Sequence, residues 1–341
     1  MQRNQQDLFL NGIRFQEPKD PDTFRLKGFV ECVISVRDIP AASSFYRSVS
    51  GWEEWQIADA SHQQNGFWCL PESASAEQCL LYNVGEPSGH VRLIQYNNIP
   101  RDVIRANSMS WDAGGIYDLD IRVRDMETSY RAFQAAGWSG FSGPMNYEFG
   151  HFHITEILMK GPDDVVFALI ERHRPQLEGW DNMRAMSHVF NSSQIVSDMS
   201  VAKDFYMNKL GFQIYMEHNL KGTEETDNLF GMPQNLYREI ERRICIVNPL
   251  GNNAGSVELV ELHGAEGRNF AERAQPPNLG LLLLRFPVQN IEAFRKHLIA
   301  QDVTIISDID TFEIEPYGKC ACLAIQSPDG AWLEFIELKE A

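Results

Sequence analysis

The sequence predicts an α+β protein built from four repeated units, each a strand, a helix and about three further strands. An internal repeat is the first observation, and its matching positions are Asp38 with Asp198, Phe45-Tyr46 with Phe205-Tyr206, and Gly51 with Gly211. All of these pairs recur at one constant spacing, which indicates a duplicated structural unit. The second observation is that the spacing between the first and last strand of each unit alternates between long and short along the chain.

The two clearest units cover residues 29–51 and 189–212. In each, an apolar run typical of a strand is followed by a turn at the aspartate. The Phe-Tyr pair then lies on the buried face of a predicted helix, and the glycine ends that helix. For these pairs we expect packing against the sheet and no direct role in a site.

Two weaker units begin at residues 116–138 and 281–302. They end in GPDDVVFALIE at 161–171 and SPDGAWLEFIE at 327–337. In both endings a turn signal precedes a strand pattern. We refer to the four units, in chain order, as modules 1 to 4.

The alternation of long and short modules is typical of a duplicated pair and predicts two sequential domains. A length of 341 residues agrees with about two domains. The predicted ranges are a polar extension (1–26), a first domain (27–172, with modules 27–100 and 113–172), a linker (173–186), and a second domain (187–341, with modules 187–263 and 279–341).

Composition and charge exclude several classes of protein. A hydrophobic content of 43% with 23% charged residues is that of a globular chain and rules out disorder. The net charge of −17 argues against a nucleic acid or an anionic membrane as partner. The six cysteines are scattered without a CxxC pair, and residues 1–10 lack the pattern of a secretory signal. We therefore expect a cytoplasmic monomer or homodimer whose partner is a small molecule.

The repeated pattern VxDxxxAxxFYxxxxG, together with the terminal PDGxxxExxE, resembles the vicinal oxygen chelate superfamily. This group includes glyoxalase I, extradiol dioxygenases, epimerases and bleomycin- or fosfomycin-resistance proteins. The resemblance implies that paired βαβββ modules form two half-open barrels, each with a cleft for a ligand or metal. We expect module 1 to pair with module 2 and module 3 with module 4, although cross-pairing, as in some four-module relatives, is the alternative.

The resemblance also implies where metal ligands would lie, namely on the first and last strands of each module. The corresponding first-strand residues are Glu31, Asp118, Asn191 and Leu283, and the last-strand residues are Gln95, Glu171, Glu261 and Glu337. None is a histidine, which disfavours iron-dependent ring cleavage. The N-terminal set of Glu31, Gln95, Asp118 and Glu171 offers only oxygen ligands, which suit magnesium, manganese or calcium better than zinc or iron. Alternatively, arginines such as Arg122 neutralise these acids and the cleft binds an organic molecule without metal.

The function that the resemblance implies is a glyoxalase-like isomerase, lyase or epimerase acting on a small oxygenated substrate. The catalytic candidates are Glu31, Glu171 and Glu337; the substrate-binding candidates are Arg122, Asn191, Arg285, His151, His153 and Tyr317. An alternative is a metal-independent binding or resistance-type protein with its ligand in the C-terminal cleft, near Asn191, Arg285 and Glu337. A scaffold in which neither cleft acts is a third alternative.

Overall fold

A computed structural model of the chain describes residues 2–221 and 228–339 and has an α+β architecture with two large sheets. The N-terminal extension contains α1 (Gln2–Ile13) and β1 (Arg25–Leu26). Module 1 contains β2 (Glu31–Ser35), α2 (Ile39–Ser50), β3 (Glu53–Gln56), α3 (His62–Phe67), β4 (Ser75–Tyr82) and β5 (His90–Asn97). Module 2 contains β6 (Asp118–Val123), α4 (Met126–Ala135), β7 (Ser139–Gly140), β8 (Met145–Phe149), β9 (Phe152–Lys160) and β10 (Val166–Arg174).

The second half of the chain repeats this order. Module 3 contains β11 (Met186–Ile195), α5 (Met199–Lys203, continued by a π-helical turn over Asp204–Lys209), β12 (Gln213–Lys221), α6 (Gln234–Glu239), β13 (Glu241–Asn248) and β14 (Ser256–His263). Module 4 contains β15 (Gly280–Gln289), α7 (Ile291–Ala300), β16 (Ile305–Ile314), β17 (Gly318–Gln326) and β18 (Trp332–Leu338). The four predicted strand–helix–strand modules are therefore confirmed.

Each main helix begins directly after its first strand because the turn residue caps it. The four caps are Asp38 accepting from Ala41 N, Asp125 from Thr128 N, Asp198 from Val201 N, and Asn290 from Ala293 N. A side-chain oxygen at this position satisfies a backbone N–H that has no partner within the helix. The buried rings of Tyr46 and Tyr206 then anchor α2 and the α5 segment in the core, as the repeat predicts.

One sheet pairs the first module with the last, and the other pairs the two middle modules. One sheet has the strand order β16-β17-β18-β15-β2-β5-β4-β3 and combines modules 4 and 1. The other has the order β12-β13-β14-β11-β6-β10-β9-β7 and combines modules 3 and 2. The expected pairing of module 1 with module 2 and of module 3 with module 4 is wrong, and the sequential ranges 27–172 and 187–341 do not correspond to the two sheets.

The connections between the sheets show why this arrangement is feasible. The segments that follow modules 1 and 3 run side by side and are joined by β-bridges from Val103 to Leu279 and from Ala113 to Asn269. The buried Arg105 guanidinium donates to the carbonyls of Gly114 and Asp112 at 2.7 and 2.6 Å. Both connections between the sheets therefore pass through one packed region, in which buried backbone polar groups have hydrogen-bond partners.

The concave face of the module 1–4 sheet is filled by protein. Phe9 of α1 is fully buried, and its ring lies 5.6 Å from Trp55, 5.2 Å from Tyr82 and 4.7 Å from His90. Trp68, just after α3, is also buried and contacts Tyr96 edge to face at 5.9 Å. The predicted polar extension is thus in part a helix that closes one cleft.

Over residues 2–221 and 228–339, the helices are all too short or too polar to cross a membrane.

Candidate functional site

The concave face of the module 2–3 sheet carries a cavity of about 410 Å³. Its floor is formed by the two central strands, which run antiparallel with Asp118 opposite Ser193 and Asp120 opposite Asn191. The polar residues that line its inner part are Asp118, Asp120, Arg122, Glu156, Asn191, Ser193 and Glu258.

Strand alternation in β6 positions three of these side chains. Asp118, Asp120 and Arg122 face the cavity, whereas the intervening residues Leu119 and Ile121 pack in the core with the helices. This division was predicted from the sequence and is confirmed. Because successive side chains of a strand point to opposite faces, one short strand contributes two acids and one base to the same cavity.

Two aspartates lie at the centre of the cavity floor. Asp118 is buried, and its Oδ1 accepts a hydrogen bond of 3.1 Å from the backbone N–H of Ser193. Burial raises the pKa of Asp118 to about 6 despite this bond. Burial and the adjacent Asp118 raise the pKa of Asp120 well above its usual value. The two carboxyls share a desolvated site, in which ionising both of them together is unfavourable.

Two glutamates complete the acidic group from the neighbouring strands. Burial raises the pKa of Glu156 to about 7, although Glu156 also accepts a hydrogen bond from the Tyr147 hydroxyl. Burial, Asp118 and Glu156 raise the pKa of Glu258 to about 8. Both glutamates retain partial exposure, which is to the cavity they line. The cavity thus holds ionised and protonated carboxyls together near pH 7.

The cavity also contains buried polar atoms that have no hydrogen-bond partner within the described residues. These are the Tyr117 hydroxyl, Asn191 Oδ1 and Arg122 Nε, each in a side chain at least nine-tenths buried. Buried polar groups in native proteins are almost always satisfied. These three residues line the cavity, so a bound molecule or water there can complete their hydrogen bonds.

In the module 1–4 sheet, the acidic residues at the corresponding positions form ion pairs with arginines. Glu31 lies at the same distance before its turn residue as Asp118, and Glu334 pairs with Arg285 as Glu258 pairs with Ser193. Arg92 donates to Glu31 at 2.6 and 3.0 Å, and Arg285 donates to Glu31 and, at 2.6 Å, to Glu334.

This second group of charges is closed to solvent. Burial alone would raise the pKa of Glu31, but Arg285 and Arg92 outweigh it and lower that pKa to about 2. Tyr317 donates to Glu31 at 3.0 Å, and the Trp68 indole donates to Glu334 at 3.2 Å. Arg285 and Tyr317, which the sequence suggested as substrate-binding residues, are therefore structural partners of Glu31 in a filled cleft.

The last-strand residues suggested as ligands or catalysts have a different role in all four modules. They accept hydrogen bonds from backbone N–H groups at the start of the helices, either of the first helical residue or, in module 4, of the capping residue. The pairs are Gln95 with Ile39 (3.1 Å), Glu171 with Met126 (2.8 Å), Glu261 with Met199 (3.3 Å) and Glu337 with Asn290 (2.8 Å). These side chains lie on the face of each sheet that packs against the helices and not in the clefts. The residues of the last strands that face the clefts are the neighbouring ones, one position away from those expected from the sequence.

The structure consequently does not bring Glu31, Gln95, Asp118 and Glu171 together. The catalytic candidates Glu31, Glu171 and Glu337 are likewise separated. His151 is exposed, and His153 contacts Asn146 at 2.7 Å on the face of β9 opposite to Glu156. Of the predicted site residues, Asp118, Arg122 and Asn191 share the cavity.

Sequence reasoning missed Glu156, Glu258 and Arg172, which also line the cavity. Glu258 and Glu261 both occur in β14, three positions apart and thus on opposite faces. The sequence contains no signal that selects the correct glutamate, since the pattern SVELVELH is equally apolar on both sides.

A metal of the kind implied by the resemblance does not fit these residues. Over residues 2–221 and 228–339, no three His, Cys, Asp or Glu side chains are placed to hold one ion. Asp118 and Glu156 already accept hydrogen bonds from Ser193 and Tyr147. The cavity acids are instead arranged as separate carboxyls with different proton affinities.

Comparison with known proteins agrees with this architecture. Residues 185–335 match the sequence model of the Glyoxalase/Bleomycin resistance protein/Dioxygenase superfamily. Those residues belong to this superfamily, and the chain as a whole has its fold. The resemblance expected from the sequence is confirmed.

Solved structures of the superfamily fold extend the match over most of the chain. Glyoxalase I from Zea mays is similar with a TM-score of 0.56 and 12% identity, over 92% of this chain and 92% of that one. A provisionally assigned dioxygenase from Bacillus subtilis subsp. subtilis str. 168 has a TM-score of 0.57 and 9% identity, over 93% of this chain and 87% of that one. No curated protein matches the chain significantly. Identities this low support the superfamily fold and do not assign a reaction.

Proposed function

We propose that the chain is an enzyme that moves protons on a small oxygenated organic substrate bound in the module 2–3 cavity, in a reaction of the isomerase, epimerase or lyase type. The observation that supports the proposal is the coexistence of ionised and protonated carboxyls around one cavity. Paired groups whose environments separate their pKa values are suited to act as base and acid in one reaction.

The carboxyls can be assigned complementary roles. Asp118, with a pKa of about 6, is mostly ionised at neutral pH and serves as the base that removes a proton from a carbon next to a carbonyl group. Glu258, with a pKa of about 8, is mostly protonated and donates its proton to the carbonyl oxygen. With a 2-hydroxy ketone the resulting enediol takes a proton from Asp118 on the former carbonyl carbon and gives the proton of its other hydroxyl group to Glu258. The net change is an exchange of the carbonyl and hydroxyl positions, an isomerisation that consumes no other reactant and leaves both carboxyls in their starting protonation states.

The walls of the cavity suit an organic substrate with an apolar part. They include the aromatic rings of Phe152, Phe190 and Tyr215, together with Ile154 and Leu158. A pocket with apolar walls and a few convergent polar groups is typical of small-molecule sites. The neighbouring Asp120, whose pKa burial and Asp118 raise well above its usual value, can hold Asp118 in position through a side-chain hydrogen bond.

A metal-independent binding protein is the alternative function, and the cavity is the place for its ligand also. The location first considered for that ligand, near Asn191, Arg285 and Glu337, is divided between the two sheets. The two functions differ in whether the bound molecule exchanges carbon-bound hydrogen with the solvent.

Exchange of carbon-bound hydrogen in heavy water tests the proposal. The protein is incubated in D₂O with a panel of 2-hydroxy ketones and 2-oxo and 2-hydroxy acids, and deuterium incorporation is followed by NMR. We expect exchange at the carbon next to the carbonyl with at least one compound, and a decrease of about 100-fold or more in Asp118→Asn.

The matched control is Asp102→Asn, the same chemical change at an exposed position away from the cavity. It should exchange at the wild-type rate. Binding of panel compounds without any exchange would contradict the proposed chemistry and leave a binding protein.

A further inference from the structure

We infer that the cavity has a second, cationic end, formed by Arg122 and Arg172, that binds a carboxylate group of the substrate. This inference rests on the proposed function for its location and adds the substrate class, an oxo or hydroxy carboxylic acid. Its carboxylate would lie against the arginines and its carbonyl or hydroxyl group against Asp118 and Glu258.

Arg122 is a buried cation that forms no direct ion pair within the described residues, although the charges of Asp120 and Glu156 act on it from a greater distance. Only 6% of its surface is exposed, and its guanidinium lies over the Phe190 ring at 4.4 Å. Among the described residues, its side chain has no ion-pair partner within 4.0 Å, and its Nε donates to nothing. Removing a charge from water is costly unless the charge is paired. A ring face compensates only in part.

Arg172 brings a second cation to the same place. It lies on β10 beside β6, two positions beyond Ile170, which pairs with Arg122. Its guanidinium lies over the Phe152 ring at 4.4 Å, and its Nε also has no partner within the part of the chain that the structure describes. Burial and the charge of Arg172 lower the pKa of Arg122 to about 10, against the opposing effect of Asp120 and Glu156. The pairing of β6 with β10 places both arginine side chains on the wall of the same cavity. Two neighbouring cations in one cavity form a site for an anion.

The buried arginines of the other sheet provide the contrast. Arg92 and Arg285 are fully buried, and each donates to a carboxylate at 2.6 Å. The fold therefore pairs its buried arginines where the cleft is closed. Arg122 and Arg172 differ by facing an open cavity, from which a ligand can supply the missing carboxylate.

A carboxylate fits this end better than a group with two negative charges. Asp118, which is mostly ionised at neutral pH, and Glu156, which is partly ionised, lie on the same cavity surface, and their charge disfavours a second negative charge on the ligand. A carboxylate is planar and accepts paired hydrogen bonds from a guanidinium.

The distance between the two ends suits a substrate of moderate length. Arg122 follows Asp118 by four positions in β6, which corresponds to about 13 Å along the strand. The long arginine side chain shortens the gap between the functional groups. One molecule can thus bind through its carboxylate at one end while its reacting carbon lies near the acids.

Titration calorimetry with benzoate and with its neutral counterpart benzamide tests the inference on the full-length protein. We expect benzoate to bind in the millimolar range and benzamide to bind at least about tenfold more weakly, because only benzoate makes charge-assisted hydrogen bonds. Arg122→Gln and Arg172→Gln should each weaken benzoate binding by about tenfold or more and leave benzamide binding unchanged. Arg122→Lys, which keeps the charge but not the paired donors, should fall between wild type and Arg122→Gln.

The control is Arg131→Gln, which removes an exposed arginine of α4 and should bind benzoate as the wild type does. Thermal unfolding of each variant establishes that it is folded. No benzoate binding to wild type at high millimolar concentration, equal binding of benzoate and benzamide, or unchanged binding in both glutamine variants would overturn the inference. Asp118→Asn keeps both arginines and should still bind benzoate. If the wild-type protein binds benzoate through the arginines but exchanges no carbon-bound hydrogen, only the proposed function is refuted.

Discussion

At the scale of single residues, Glu31 and Asp118 show how surroundings decide the behaviour of a carboxyl group. They hold the same place on the first strand of their modules, and both are buried. Arg285 and Arg92 lower the pKa of Glu31 to about 2, whereas burial raises the pKa of Asp118 to about 6. Ion pairing thus makes Glu31 structural, and its absence leaves Asp118 able to exchange a proton at physiological pH.

Glu258 should give the stability of the protein a measurable pH dependence. Its pKa is about 8 in the folded protein, against an ordinary value of 4.5. Between these values the folded state holds a proton that the unfolded state has released, so Glu258 makes the free energy of unfolding fall as pH rises through this range. In Glu258→Gln this contribution is absent, and we expect the variant to lose less stability than wild type between about pH 4.5 and pH 8.

Urea unfolding at a series of pH values measures this difference. Glu266→Gln, which removes an exposed glutamate outside the cavity, should show the wild-type slope. A Glu258→Gln variant with an unchanged slope would contradict a raised pKa at this position.

At the scale of secondary-structure elements, the sequence predicted the four modules but did not show which face of each last strand lines the cleft. The turn residues Asp38, Asp125, Asp198 and Asn290 are predictable because a capping side chain leaves a local signature. The face of β10 was not predictable, since VFALIE is apolar on both sides up to Glu171. Such a strand is buried on both faces, so alternation does not show which side faces the cleft.

The two central strand pairs suggest a substitution that would give the module 2–3 sheet the ion pairing of the module 1–4 sheet. Ser193 pairs with Glu258 in one sheet, and Arg285 pairs with Glu334 in the other. Ser193→Arg would therefore introduce into the open cavity the cation that neutralises the closed one. We expect it to lower the pKa values of Asp118 and Glu258 and to reduce hydrogen exchange by about 100-fold or more, because Glu258 would no longer be protonated at neutral pH.

Carboxyl titration by NMR and the deuterium-exchange rate measure the two effects. Ser73→Arg adds the same charge at an exposed position and should alter neither. Retention of both the raised pKa values and the exchange rate in folded Ser193→Arg would show that the cavity carboxyls do not depend on this strand pair.

At the scale of the whole molecule, the pairing of modules was the feature that the sequence could not determine. Each of the first strands β2, β6, β11 and β15 lies beside the first strand of a second module. Pairing with any other module's first strand would cover the same edge. The choice depends on the connections after modules 1 and 3, which are held together by bridges such as Val103 to Leu279. Contacts of this kind join residues far apart in the chain and leave no periodic pattern.

Cross-pairing predicts that the two halves of the chain cannot fold separately. A cut between Glu178 and Gly179 lies in the connection between β10 and β11 and places one half of each sheet in each fragment. In isolation, β2 and β6 would lose their antiparallel neighbours β15 and β11, which exposes backbone hydrogen-bonding groups and the apolar surface of the sheet centres. We expect each fragment alone to aggregate or to lack a cooperative unfolding transition, and the two expressed together to form a 1:1 complex that binds benzoate. Intact protein cleaved at the same site after folding is the control and should remain assembled. A monomeric 1–178 fragment that unfolds cooperatively would mean instead that module 1 can pair with module 2.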